Sequence, residues 1–407
     1  MRFRLPPPPF GHLPPKGGGK GQRIERKASL APPMGGSCRR SRLRGVSAVL
    51  VLLLTLTACA PKMEELSTTV FAMDTVMNLA VYDAPAGPIS GEFQEQVDAL
   101  YQYEGLFSAT KEGSDVHNLN ANCGENVKVS FETADLLRRA LALCEKTGGA
   151  LDITAYPAVK EWGFTTGEYR VVSEDECVEL AEHIDYTRVE LLGDYTALPE
   201  GMTEESMQGM VNYEEHLDKG ELVRIPEGMQ LDLGAVAKGY VGDRMVEALE
   251  PYQCHALLNL GQSTIAAIGT KPDGSAWRIG IQDPAGSDYL GVLELNDQSM
   301  GSSGNYQRWF EENGVRYGHI IDPDTAAPAH SGLAGVTVVS DSALLCDGLS
   351  TALFVMGLEE AADHWREYRD FEAIFIEDSG KITITAGLKE HFSLTDGYKD
   401  REVTVLE

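Results

Sequence analysis

Residues 229–250 constrain this chain more than any other stretch. An apolar run ends in Leu231-Asp232-Leu233, Gly234 breaks it, and a helical pattern comes next in which Ala237, Val241, Met245 and Ala248 recur at helical spacing. That order predicts a strand, a tight turn and an amphipathic helix. A helix N-terminus after a glycine presents backbone N–H groups and partial positive charge to an anion. Lys238 on the first turn adds a full charge, and Asp232 precedes the turn. The stretch is neither a Walker loop nor a G-x-G-x-x-G fingerprint, so on its own an ordinary strand–helix junction remains the plainer reading.

The N-terminal part is of another kind. Residues 1–45 are basic and rich in Pro and Gly, and residues 46–58 are apolar apart from Ser47, Thr55 and Thr57. Thirteen such residues are too few to cross a bilayer and suit the apolar centre of a signal peptide, with Arg39, Arg40, Arg42 and Arg44 as its basic flank. Leu56-Thr57-Ala58-Cys59 has the form of a bacterial lipobox, which makes Cys59 the expected lipidated residue. Residues 1–58 therefore read as leader and signal peptide, 59–69 as lipidated cysteine and tether, and 70–407 as the folded part of the chain, long enough for one large domain or two. Met34 offers an alternative start with a leader of ordinary length.

The whole chain carries a net charge of −28. Residues 1–58 hold eleven Lys and Arg against one acid, so residues 59–407 carry 23 basic and 61 acidic side chains, net −38. Such a surface disfavours nucleic acid as a partner and obliges any anionic ligand to find a local positive pocket. Cys123, Cys144, Cys177, Cys254 and Cys346 show no C-x-x-C spacing, so neither a disulfide framework nor a zinc site is expected.

Residues 70–82 fit one or two strands. Helices are expected from about Gly91 to Glu104, with Phe93, Val97 and Leu100 on one face, and from Thr133 to Lys146, stopped by Gly148-Gly149. Asp152 and Thr154 beside Pro157 read as turn chemistry, and Trp162 either as core or as a platform for a planar ring. Residues 194–220 are acidic, lack periodicity and read as a surface insertion. Strands are expected at 256–260, 277–281 and 336–339, and two more close the chain at 371–376 and 381–385. Residues 302–308 read as a polar loop in which Tyr306 and Arg308 are candidates to face a ligand. His319 sits between strand residues and an Asp-Pro turn.

Residues 343–357 form a helix with an apolar stripe of Leu345, Leu349, Ala352, Leu353 and Met356. Asp347 and Thr351 lie four apart on its other side, with Ser350 beside them, a spacing that lets two oxygen ligands meet one hard cation. Oxygen donors suit Mg2+, which keeps waters for phosphate oxygens.

Together these stretches resemble the FAD:protein FMN transferases, the ApbE-like flavin transferases, from about Val70 to the C-terminus. The motifs are Ala72-Met73-Asp74-Thr75; Ala150 to Thr154 with Trp162-Gly163-Phe164; Asp232 to Asp243; Asn259-Leu260-Gly261; Ser303 to Tyr306 with His319 to Pro328; and Asp347 to Thr351. The resemblance implies an α+β fold of mixed sheets with packed helices, T-fold-like, in one catalytic domain. It also implies a Mg2+-dependent reaction that splits FAD, moves FMN to a Thr or Ser hydroxyl of an acceptor protein and releases AMP. By motif, Met73, Ala150, Leu151, Asp152, Asp232, Lys238 and Ile321 would line the FAD site. The carbonyl of Ala235, Asp347 and Thr351 would hold Mg2+, and His319 stands where the family places a proton-transfer residue. Phosphoryl transfer needs a base near the attacking hydroxyl, and His319 and Asp322 are the candidates. Family members are secreted or lipid-anchored, so the expected location is the outer side of the cell membrane and the expected acceptor a membrane redox subunit.

The chain departs from the pattern at Asp74 and Gln262, which stand for glycines, at Ser350, an Asp in some members, and at Ala326-Ala327 in the Asp-Pro loop. A lipoprotein that only binds or stores FAD, and a Mg2+-dependent FAD pyrophosphatase yielding FMN and AMP, stay open as alternatives.

Overall fold

The computed structural model describes residues 63–85, 87–198 and 217–407. The leader and Cys59 lie outside these residues, as does most of the acidic stretch at 199–216. The described residues form one compact unit.

A nine-stranded sheet runs through it, and its strands lie in chain order. They are β1 (Met63–Ala72), β2 (Thr75–Pro85), β3 (His255–Asn259), β4 (Thr264–Ile268), β5 (Ser299–Gly304), β6 (Leu333–Ser340), β7 (Glu372–Glu377), β8 (Ile382–Thr385) and β9 (Val403–Leu406). All neighbours are antiparallel except the last pair, in which β9 runs parallel to β8. Among the described residues seven α-helices accompany it: α1 (Pro88–Phe107), α2 (Asp115–Ala121), α3 (Phe131–Lys146), α4 (Tyr156–Glu161), α5 (Glu174–Ala181), α6 (Ala237–Leu249) and α7 (Ala343–Tyr368).

Strand alternation divides the core in two. Ala266, Ala373 and Phe375 point into the large cluster shared with α1, α3, α6 and α7. Ile265, Ala267, Ile374 and Ile376, on the opposite face, pack on a small sheet of Trp277–Gln282, Tyr289–Leu295 and Phe392–Leu394. Burial on both faces explains why these strands are almost wholly apolar.

Several expectations change. β1 begins at Met63, inside the stretch read as tether. Residues 194–197 and 218–220, read as irregular, belong to strands Glu190–Ala197 and Asp218–Arg224 of a three-stranded sheet. The polar residues 302–304 complete β5, and β9 was not foreseen. The run at 229–233 is buried but makes only one isolated bridge, Gln230 to Ala155. Asn120 takes the place of a partner strand there: its Oδ1 accepts from Leu231 N–H at 2.6 Å and its Nδ2 donates to Leu231 C=O at 2.9 Å.

The helix at 343–357 is confirmed and continues to Tyr368 across a break at Gly357, whose φ is 77°. In α6 the buried stripe ends on Leu249 rather than Ala248. The β1–β2 turn is Met73-Asp74, with φ of 50° and 59°. A two-residue hairpin turn of that hand needs two left-handed residues, and Asp tolerates such a position better than most side chains.

Candidate active site

α6 and α7 cross at their first turns, and glycine permits it. A Cβ on Gly239 would lie 2.4 Å from the carbonyl oxygen of Ala343, and one on Gly242 would lie 3.0 Å from the Ala343 Cβ. At the crossing, Asp347 of α7 accepts from Gly239 N–H at 2.9 Å, in the first turn of α6. Its other oxygen accepts from the Thr264 hydroxyl of β4 at 2.8 Å. Asp347 is only 4% exposed. Burial pushes its carboxyl up from the usual range, while Lys238 and these two hydrogen bonds oppose the shift. Lys238 Nζ stands 4.0 Å from Asp347 Oδ2 and 3.4 Å from Gly234 C=O. The helix N-terminus read from sequence as an anion site thus already holds an anion of the chain itself.

Lys238 also acts on two further groups. Burial raises the Asp232 carboxyl, against which work a hydrogen bond from Gly234 N–H and the charges of Lys238 and Arg308. His319 is pushed down to about 4, by burial first and then by Arg308 and Lys238. Packing crowds its ring, although part of it still meets solvent. The His319 N–H donates to Arg308 C=O at 3.1 Å, and Nδ1 lies 3.3 Å from the same oxygen. An Nδ1 facing a carbonyl carries the proton, which leaves Nε2 of a neutral ring free to take one. Lys238, Arg308, Asp232, His319 and Asp347 therefore form one electrostatic group on a strongly acidic chain. Arg308, exposed and in no ion pair among the described residues, was named in the sequence only as ligand-facing. Seventy residues separate it from Lys238, and no local pattern joins them.

The remaining residues fall into other settings. Ala150 and Asp322 line a cavity of about 320 Å³ with Gly149, Asp324, Met356 and Glu360. Asp322 Oδ1 accepts from Asp324 N–H at 2.9 Å, the turn chemistry of an Asp-Pro loop. Asp152 is engaged inside the chain: one oxygen takes the Thr154 N–H at 2.8 Å and hydroxyl at 2.7 Å, the other Tyr186 N–H at 2.9 Å. Burial raises its carboxyl. Leu151 is core, and Ile321 packs in a small cluster with Trp162 and Phe164. Trp162 is itself buried and donates to Ala326 C=O at 2.9 Å, which settles it as core and not as an exposed platform. Met73 N–H donates to Glu104 at 3.2 Å.

The donors at Asp347 suit a hard cation by type. Ser303 of β5 lies 2.8 Å from the Ser350 hydroxyl and 3.0 Å from that of Thr351, so the polar side of α7 faces hydroxyls of the sheet. Ala237 N–H bonds to Leu233 C=O at 2.8 Å and Tyr240 N–H to Val236 C=O at 2.9 Å, while Gly239 N–H goes to Asp347 instead of the carbonyl of Ala235, which stays outside the ladder of α6. A carboxylate, a hydroxyl and a carbonyl make an all-oxygen set that fits Mg2+. Ser350 also donates to Asp347 C=O at 2.9 Å. Among the described residues no group of three or more His, Cys, Asp or Glu gathers as a metal site.

The architecture is that of solved flavin transferases. It matches the crystal structure of the ApbE protein from Thermotoga maritima with a TM-score of 0.68 at 27% identity, covering 81% of this chain and 99% of that one. Flavin transferase ApbE from Vibrio cholerae matches with a TM-score of 0.66 at 26% identity, over 81% and 100% of the two chains. Residues 73–375 match the model of the ApbE family. The FAD:protein FMN transferase of Treponema pallidum is 31% identical over 82% of this chain and 91% of its own length. That of Haemophilus influenzae is 29% identical over 79% and 89%. The chain belongs to the ApbE family, the family of the FAD:protein FMN transferases, and is an enzyme of the transferase class.

Proposed function

We propose that the enzyme moves FMN from FAD to a Thr or Ser hydroxyl of an acceptor protein and releases AMP. The observation that carries this reading, in a chain of this family, is the convergence of Lys238 on Asp232, His319 and Asp347. The acceptor oxygen attacks the phosphorus on the flavin side, the bond from that phosphorus to the bridging oxygen breaks, and AMP leaves with that oxygen. Lys238 and Arg308 are the positive charges available to the diphosphate, whose developing charge is the main obstacle. Nε2 of His319 takes the hydroxyl proton; Asp322, tied into its own turn, is the weaker candidate. Asp347, Thr351 and the carbonyl of Ala235 would hold Mg2+, which when bound neutralises phosphate charge. Met73, Ala150, Leu151, Asp152, Asp232 and Ile321 keep the FAD-lining role that their motifs suggest.

The apolar run ahead of Cys59 supports anchoring of the chain to the outer side of the cell membrane through a lipid on that cysteine. With β1 starting at Met63, three residues separate anchor from sheet, a reach over four residue steps of at most about 14 Å. An enzyme held so close to the lipid suits a membrane-associated redox subunit as acceptor.

The test is incubation with FAD, Mg2+ and an acceptor domain, with AMP, free FMN and flavin-labelled acceptor measured together. AMP with labelled acceptor is the expected result. AMP with free FMN alone would identify a pyrophosphatase, and no AMP a flavin-binding protein; either would overturn the proposal.

A further inference from the structure

The helix crossing contains a second aspartate that the reaction does not use. Asp243, in the second turn of α6, accepts from the Ser342 hydroxyl at 2.7 Å, from Ala343 N–H at 2.5 Å and from Leu344 N–H at 3.2 Å. Ser342 is the N-cap of α7 and also accepts from Leu345 N–H at 3.2 Å. The exchange runs both ways: α6 lends Asp243 to the first turn of α7, and α7 lends Asp347 to the first turn of α6 through Gly239. Each carboxylate meets N–H groups that a helix start leaves without an intrahelical partner, and each lies at the positive end of the other helix's dipole. Between them the backbones touch, with no side chain at Gly239 to act as a spacer. A slide of one helix along the other would therefore break both caps together.

We propose that Asp243 is a positioning residue that sets the register of α7 on α6, and thereby the placement of Asp347 against Lys238 and Gly239. Its importance for turnover rests on the proposed transfer reaction; its effect on the crossing does not. An ordinary local cap would steady only the first turn of α7. Register control reaches across to α6.

Amide hydrogen exchange, followed residue by residue by NMR on the apo-protein, separates the two. In Asp243→Asn the side chain keeps one acceptor and turns an NH2 group toward the donors it used to receive. Ala343 and Leu344 lose protection under either role. The proposal expects Gly239 to lose protection too, by about tenfold or more, because its bond to Asp347 loosens with the register. Ser342→Ala, a milder change at the same junction, should move Gly239 in the same direction by less. Adding Ser342→Asp to Asp243→Asn supplies a new cap for α7 and should restore Leu344, the N2 position, but not Gly239. If Gly239 keeps wild-type protection in both single variants while Ala343 exchanges faster, the proposal is overturned. Where wild type transfers flavin, kcat in Asp243→Asn should fall by about tenfold with KM for FAD within about threefold. Failure of transfer in wild type would sink the functional reading and leave the exchange result standing.

Discussion

Lys238→Ala exposes how far the anion-site reading of α6 holds. Judged from sequence, Lys238 projects from a first turn toward a ligand, and its removal should leave the melting temperature nearly unchanged. The structure gives it a second task, because Asp347 is buried and Lys238 is its counter-charge at 4.0 Å. Two unit charges at that distance attract by about 4 kcal/mol at an effective dielectric constant near 20. Loss of one partner of a buried pair costs roughly 3–5 kcal/mol. The Lys238 side chain retains 20% exposure, and Asp347 keeps its bonds from Gly239 and Thr264, so we expect about 2–3 kcal/mol. Urea denaturation of the apo-protein measures it. A double-mutant cycle assigns the cause: in an Asp347→Asn background, Lys238→Ala should cost less than about 1 kcal/mol, since no buried charge is left stranded. Equal stability of Lys238→Ala and wild type, or the same loss in both backgrounds, would refute the pairing. FAD binding should weaken in Lys238→Ala as well, and unchanged affinity would make the residue purely structural.

Three further outcomes are expected. The His319 imidazole is held at about 4 against an ordinary 6.5, so the fold favours its neutral form. That contribution is complete above 6.5 and is lost as pH falls toward 4. Wild type should therefore lose about 2 kcal/mol more than His319→Gln across this window, and parallel stability–pH curves would contradict it. Gln262 adopts a left-handed φ of 69° next to Gly261; Gln262→Gly should raise stability by about 0.5–1 kcal/mol in thermal melts, and a lower melting temperature would show that the side chain contributes more than the backbone strain costs. Cys59→Ser should release the protein from the membrane or block its processing, and a normally processed variant that stays in the membrane fraction would exclude lipid anchoring.

Much of this was legible because local rules and tertiary packing agree. The stripe of Leu345, Leu349 and Leu353 marks α7, and Gly357 marks its break. Asp347 and Thr351 could be singled out because a polar face suits so apolar a helix only if it has partners. Those partners, Thr264 and Ser303, come from distant strands and carry no local mark. Residues 302–304 read as loop for the same reason: small hydroxyl side chains look like turn chemistry until Ser302 meets Thr337 at 2.8 Å and Ser303 meets α7. The run at 229–233 looked like a strand because it is apolar and buried. At its centre the backbone of Leu231 is satisfied by Asn120, whose position more than a hundred residues earlier no periodicity reveals. The departures at Asp74, Gln262 and Ala326 were visible as residues, and the backbone shows what they share: all three adopt positive φ.

The proposed reaction centres on Asp347, the buried carboxylate at the crossing of α6 and α7. Flavin transfer to an acceptor domain, measured over a Mg2+ titration at saturating FAD in wild type and Asp347→Asn, tests this most directly. The expected rate is about tenfold to a thousandfold lower in the variant, the scale of losing one electrostatic stabiliser of a transition state, with FAD still bound. A wild-type rate in Asp347→Asn at low Mg2+ would contradict it.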